Sequence, residues 1–404
     1  MSNLQFLPAW PPHPDALFYI TLVFAVATLV GEILFRLLRI PRIVGYALIG
    51  LGAGALNLSL EGFQPLESLR IVIDIALAVL LFELGCRVSF KWLRANPWLL
   101  LSSLLEAGLT AGAVYFMLTY FGCGKGAALA VACAATCTSP AVSLWVMNES
   151  GARGQITDRL LMLTALNTIY ALLATKIVIA YLLQEFRGDV LAAILHPVYL
   201  ISGSFLLAVI LAAGVRFLNR RFDLRQEQSA LLLFAFLLVV ISLVTLAELS
   251  SLLVALLAGM ALRHQTDRPL LWPRHFGTAG GVLVVMLFVL MGMTLRVDTL
   301  LAGDLMQAGL LGLALIGVRL VAKIMGVLAL SEPSGISPKQ AVALGLALAP
   351  MSGVALAITL EFRDALPELD TNASAIVFSA IAVLIVFGPL LTRQALRWVG
   401  EINS

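Results

Sequence analysis

Apolar runs of about twenty residues, separated by short polar links that hold most of the Arg and Lys, fill nearly all of this 404-residue chain. A hydrocarbon core of ~30 Å is crossed by about 20 helical residues. On that measure spans fall at 16–38, 42–58, 69–86, 97–121, 125–148, 157–183, 194–217, 226–246, 249–262, 275–295, 305–330, 338–361 and 373–397. Thirteen such segments predict an all-α polytopic membrane protein, one transmembrane unit over 1–398 with a short tail at 399–404. Segments 42–58 and 249–262 are the shortest, and Glu248 divides 226–246 from 249–262.

Composition removes the soluble alternative. Hydrophobic residues make up 61% of the chain and charged residues 12%, against about 25% charged in a soluble domain. A water-facing surface cannot be assembled from that supply. The net charge of +3 is too small to suggest nucleic acid as a partner. Met1 to Asp15 holds no Lys or Arg, so a cleavable leader is not expected.

Basic residues test the segmentation, because cytoplasmic loops carry an excess of Lys and Arg. Taking alternate links from the one after the first segment, one side holds eighteen of the 26 Lys and Arg and the other five. Lys176, Arg319 and Lys323 lie within segments. The imbalance predicts an outside N-terminus and a cytoplasmic C-terminus in a membrane of the bacterial inner type.

Two segments are interrupted at mid-span, one by Thr136-Cys137-Thr138-Ser139-Pro140 and the other by Ala349-Pro350-Met351-Ser352-Gly353. Proline removes a backbone donor and clashes with the preceding turn, and Gly353 adds backbone freedom. Irregular backbone at membrane depth persists only where protein or a water-filled cavity satisfies it. The breaks at Pro140 and Pro350 lie about half a chain apart and enter from opposite faces. This predicts an inverted repeat whose discontinuous helices cross at the midplane, where transporters hold their solute.

Several short stretches, in order, carry a family likeness. They are Gly45-Tyr46-Ala47-Leu48-Ile49-Gly50, Leu81-Phe82-Glu83-Leu84-Gly85, Thr138-Ser139-Pro140-Ala141-Val142, Asn148-Glu149-Ser150-Gly151, Leu163-Thr164-Ala165-Leu166-Asn167-Thr168, Leu257-Ala258-Gly259-Met260, Phe288-Val289-Leu290-Met291-Gly292-Met293, Arg319-Leu320-Val321-Ala322-Lys323 and Ala349-Pro350-Met351-Ser352-Gly353. Over roughly 16–398 the chain resembles the monovalent cation:proton antiporter superfamily, most nearly its second large family of bacterial sodium/proton and potassium/proton exchangers. The resemblance implies the sodium/proton antiporter fold in a homodimer, with a dimer domain (about 16–96 and 194–295) and a moving core domain (about 97–183 and 305–398). It implies an elevator-type exchange of H+ against Na+ or K+, with no cofactor. In that family an aspartate following Asn, Asp or Gln binds cation and proton in turn. Here that position is Thr168, after Asn167.

A threonine hydroxyl does not titrate near neutral pH, so another group must carry the charge. Ionisable residues within spans are functional candidates by default. In the expected core these are Glu106, Lys176, Arg319 and Lys323, for proton coupling or charge pairing; Lys323 matches the family's core lysine. Glu106 is the one acid counted well inside the core, and a fixed Glu106–Lys176 or Glu106–Lys323 pair that only neutralises the interior is the plain alternative. Thr138, Ser139, Asn167 and Thr168 are the expected ion or substrate ligands. One carboxylate against three basic groups also admits a small anion or organic acid as cargo, and loss of the aspartate admits a non-transporting sensor.

The remaining polar residues read as structural. Asp74 and Glu83 are expected as interfacial or packing charges, with a substitute proton site as the alternative, Glu32 beside Arg36 as a local pair, and Glu248 as the cap of a short helix. Cys133 and Cys137 stand four apart as small packing residues, and Cys86 and Cys123 show no ligand spacing. No phosphate loop, nucleophile elbow or metal-ligand cluster points to an enzyme, and His13, His196, His264 and His275 fall at segment ends or in links.

Overall fold

The computed structural model describes residues 16–56, 65–187, 190–222, 227–265, 276–295, 306–367 and 371–402. His13, the first fifteen residues, the expected segment ends at 57–58, 226, 275 (His275) and 305, and the last two residues of the tail lie outside these. Among the described residues every regular element is a helix: α1 (Ala16–Leu38), α2 (Arg42–Ala55), α3 (Pro65–Arg87), α4 (Phe90–Ala95), α5 (Pro97–Tyr120), α6 (Lys125–Thr136), α7 (Pro140–Ser150), α8 (Gln155–Arg187), α9 (Val190–Phe222), α10 (Glu227–Leu246), α11 (Ser251–Gln265), α12 (Phe276–Thr294), α13 (Met306–Ala329), α14 (Pro338–Ala347), α15 (Gly353–Ala365) and α16 (Thr371–Trp398).

Each expected span is present, and the two interrupted ones are each split into a pair of helices, α6 with α7 and α14 with α15. Among the described residues seven spans are long and apolar enough to cross a bilayer by themselves, and four more helices of 10–17 residues are apolar but shorter. Phe116, Phe205, Leu29 and Leu246 stand exposed along them. That much exposed apolar surface fits lipid as the surrounding solvent. The chain is a multi-pass membrane protein.

Helix α2 packs on α1 and α12, while α3 packs on α11 and α12. Gly85 and Gly259 face each other across α3 and α11, and a side chain on either would meet main-chain atoms of the other helix. Small residues allow such close approach between membrane helices. Elsewhere α5 packs on α6 and α13, α13 on α14 and α16, and α8 on α6 and α7. Helix α3 also touches α7, α8 and α15, so it borders both halves of the crossing.

Glu248 does not cap the next helix. It closes α10 in a left-handed conformation (φ 56) and donates its N–H to Thr245 O at 3.0 Å. Ser250 is the cap instead, its Oγ accepting from Leu253 N at 3.4 Å. A hydroxyl directly before the helix reaches those amides, whereas Glu248 sits in the preceding turn. The six-residue α4 also went unforeseen, its N-cap Ser89 accepting from Trp92 N at 3.3 Å.

Candidate functional site

The first break follows from its residues. Pro140 opens α7, where a missing N–H costs nothing, and forces Ser139 into an extended backbone (φ −70, ψ 111). Ser139 Oγ then caps α7, accepting from Val142 N at 3.3 Å. Cys137 ends α6, also extended (φ −63, ψ 141). In the second break α14 stops at Ala347 and α15 restarts at Gly353, with no side-chain cap from Ser352. The breaks meet directly: Ser139 N donates to Pro350 O at 3.0 Å, and Ser139 Oγ hydrogen-bonds Ser352 Oγ.

Unwinding two helices frees carbonyls in the buried interior, and Arg319 of α13 takes them. Its Nε donates to Ala135 O at 2.7 Å, Nη1 to Ala349 O, and Nη2 to Cys137 O at 2.6 Å, Pro350 O at 3.3 Å and Leu348 O at 3.4 Å. Its planar fork suits this task. The positive charge also lies against the C-terminal, negative ends of α6 and α14. Arg319 makes no ion pair among the described residues.

One turn along α13, Lys323 forms an ion pair with Glu106 of α5. Neither side chain has any exposed surface, 0% for each. Lys323 Nζ also donates to Thr136 O at 3.3 Å, which ties the pair to the first break. Gly326 makes this approach possible, because a side chain there would collide with the backbone of Glu106. Thr110 Oγ1 donates to the Glu106 main-chain carbonyl at 2.8 Å and lies 3.4 Å from Glu106 Oε1, while Glu106 Oε2 is buried without a partner among the described residues.

Helix α8 lays hydroxyls and an amide beside the first break. Thr138 Oγ1 donates to Leu348 O at 3.3 Å and therefore accepts from Asn167 Nδ2, also at 3.3 Å. This order fixes the amide's orientation and leaves Asn167 Oδ1 buried without a partner among the described residues. Thr168 Oγ1 donates back to Thr164 O at 2.8 Å and lies 3.9 Å from Cys137 Sγ. Ser143 Oγ and Thr164 Oγ1 pair at 3.2 Å below them.

Comparison with known proteins identifies the family. A family model described as sodium/hydrogen exchanger, transmembrane, matches residues 22–397. The chain belongs to the sodium/hydrogen exchanger family. It is similar to K(+) efflux antiporter 2, chloroplastic, of Arabidopsis thaliana, at 26% identity over 86% of this chain and 30% of that protein. K(+) efflux antiporter 1, chloroplastic, of the same plant is 24% identical over 86% of this chain and 29% of that one. The chain thus spans less than a third of their length. The sodium proton antiporter MjNhaP1 of Methanocaldococcus jannaschii at pH 8 superposes with a TM-score of 0.69 at 17% identity, covering 95% of this chain and 97% of that one. At that identity the likeness establishes the shared antiporter fold.

Within this exchanger fold the expected site residues separate into two groups. Thr138, Ser139, Asn167 and Thr168 are buried around the first break, with Pro140, Pro350 and Gly353 at the turns themselves. Glu106, Lys323 and Arg319 join them through the carbonyls of Ala135, Thr136 and Cys137. Lys176 does not. It pairs with Glu361 of α15, away from Glu106. Glu361 escaped the sequence reading because it closes its segment, where hydropathy no longer separates span from link; it adds a second carboxylate to the core count.

Ser352 was also missed as a site residue, although its place beside Gly353 mirrors that of Ser139 beside Pro140. Cys133 and Cys137 are both buried, but Cys137 lies in the break, so the two do not stack on one helix. Glu32 pairs with Arg36 at 2.6 Å as expected, and Glu83 with Arg87 at 2.8 Å.

Proposed function

We propose that this chain exchanges Na+ or K+ for H+, with Glu106 and Lys323 taking over the role of the carboxylate absent at Thr168. One observation carries the reading. Among the described residues the unpartnered buried side-chain atoms at the crossing, Glu106 Oε2 and Asn167 Oδ1, are both oxygen acceptors. A buried acceptor without a donor is costly, and a proton or a dehydrated cation is what relieves it.

The chemistry is a competition. The Lys323 ammonium holds Glu106 and Thr136 O, and a monovalent cation seeks the same carboxylate and carbonyl oxygens. A cation entering beside Thr138 and Asn167 displaces one proton from Lys323, leaving a neutral amine, and the net charge of the site is unchanged. Protonation of Lys323 from the other side expels the cation. In this reading helices of the core (97–183 and 305–398) slide as an elevator against a dimer domain (16–96 and 194–295) in a homodimer. The basic end faces the cytoplasm of a bacterial-type inner membrane.

An anion or organic-acid carrier is the second reading, favoured by Arg319 and by the N-termini of α7 and α15 at the crossing. Against it, the Arg319 guanidinium is already engaged by carbonyls, and Glu361 neutralises Lys176. Adding Na+ or K+ to everted vesicles and following the pH gradient between pH 6 and 9 tests the first reading. Absence of a response from a folded protein defeats it, and thermal stabilisation by carboxylates but not by alkali cations favours the second. Neither response leaves a sensor.

A further inference from the structure

The end of α7 is fastened to the start of α2 by a carboxylate that caps a helix to which it does not belong. Helix α2 begins after Pro41, which supplies no side-chain cap; Val44 N donates to Pro41 O at 3.0 Å, and Arg42 N turns outside its own helix for an acceptor. Glu149 of α7 provides one. Its two oxygens lie 3.3 and 3.2 Å from Arg42 N, and Oε1 also accepts from Arg42 Nη1 at 2.8 Å. The positive end of the α2 dipole adds to the attraction.

The surroundings hold this contact firmly. The Glu149 side chain is only 7% exposed. Arg42 Nε donates to Glu32 Oε2 at 2.6 Å, and its guanidinium carbon lies 3.8 Å from the centroid of the Phe35 ring. Next door, Arg87 Nη2 of α3 donates to Asn148 Oδ1 at 3.3 Å. Two consecutive residues of α7 are therefore bound by α2 and α3. Helix α7 is a short strut of 11 residues whose opposite end carries the Ser139–Ser352 contact. The link between α1 and α2 is also restricted, with Arg39 in a left-handed conformation (φ 56) that non-glycine residues seldom adopt.

The geometry points to Glu149 as a positioning residue. Its bond to Arg42 and to the α2 N-terminus holds α7, and through it the crossing, in the arrangement described, and each transport cycle makes and releases that bond. This assignment rests on the exchange reading above. It concerns the rate at which the crossing changes position, not the binding of the cation.

The test uses the full chain, purified and reconstituted in liposomes, as wild type, Glu149→Gln, Arg42→Gln, Arg42→Lys and the double variant E149Q/R42Q. Arg36→Gln is the control, since Arg36 is exposed and pairs only at the rim of the cluster with Glu32. Amide exchange over 42–46 is expected to rise about tenfold in E149Q. The maximal rate of Na+- or K+-driven proton flux is expected to change about threefold or more, with the half-saturating cation concentration within about twofold of wild type. The double variant changes the rate no more than the stronger single one, as coupled partners do, and R42K falls between wild type and R42Q.

Unchanged amide exchange in E149Q overturns the cap. Faster exchange with an unaltered maximal rate, or independent effects in the double variant, overturns the positioning role. A wild-type chain without cation-driven flux defeats the exchange reading and the transport role of Glu149 with it. Flux in the wild type with unaffected variants defeats this inference alone.

Discussion

Lys323 meets Glu106 where neither side chain keeps any exposed surface, and a third group, the Thr136 carbonyl, shares the ammonium. The pair lies between two unwound helices and next to a guanidinium that binds only carbonyls. It is the one place in the crossing where a carboxylate and a titratable cation face each other among the described residues.

Removing one partner of this pair strands the other in a buried interior. Glu106→Gln and Lys323→Met are each expected to lower stability by about 3–5 kcal/mol, whereas the double variant E106Q/K323M recovers much of that loss because no lone charge remains. Unfolding in detergent, followed by thermal scans on the four proteins, checks this. Additive losses would contradict it.

Lys176 was grouped with Lys323 on sequence grounds, and the structure separates them. The Lys176–Glu361 pair is 12% and 30% exposed, against 0% for each partner of Glu106–Lys323, so removing one partner costs less than in the sealed pair. Lys176→Gln is expected to lose less stability than Lys323→Met and to keep exchange activity. The same thermal scan and flux assay measure both, and an effect as large as that of Lys323→Met would contradict the assignment.

Arg319→Lys keeps the charge and removes the fork. A lysine cannot reach the carbonyls of Ala135, Cys137 and Ala349 together. Each carbonyl left without a donor costs about 1–3 kcal/mol. The variant is therefore expected to unfold at markedly lower temperature and to be cleaved faster by protease near the two breaks. Wild-type behaviour in both measurements would show that water, not Arg319, satisfies those carbonyls.

The fold was largely legible because membrane helices must be long, apolar and internally hydrogen-bonded, and two prolines at mid-span mark where that rule is broken. The partners of the breaks were not legible. Arg319 reads as a charge in search of a carboxylate, and only coordinates reveal that its donors go to five backbone carbonyls. The same holds for Lys176, whose partner lies 185 residues away on another helix. Spacing along one helix predicted Glu32–Arg36 correctly, but it carries no information about pairs between helices. Glu149, quoted only as part of a motif, emerges as the cap of α2 for that reason.

In the proposed exchange the buried Asn167 Oδ1 is an acceptor for the cation. Asn167→Leu preserves bulk and removes both that acceptor and the bond to Thr138. It is expected to raise the half-saturating cation concentration about tenfold or more while the protein stays folded. Thr168→Asp, which restores a carboxylate at the family position, is expected to gain stabilisation by Na+ or K+ in thermal scans, as binding to the folded state requires. Unchanged affinity in the first variant would remove Asn167 from the site.

The most direct measurement of the central claim is the pH change in proteoliposomes after a pulse of Na+ or K+, comparing wild type with Glu106→Gln and Lys323→Met. The account predicts cation-driven proton efflux from the wild type and its loss in both variants. Equal efflux from wild type and variants, or none from a folded wild type, would contradict it.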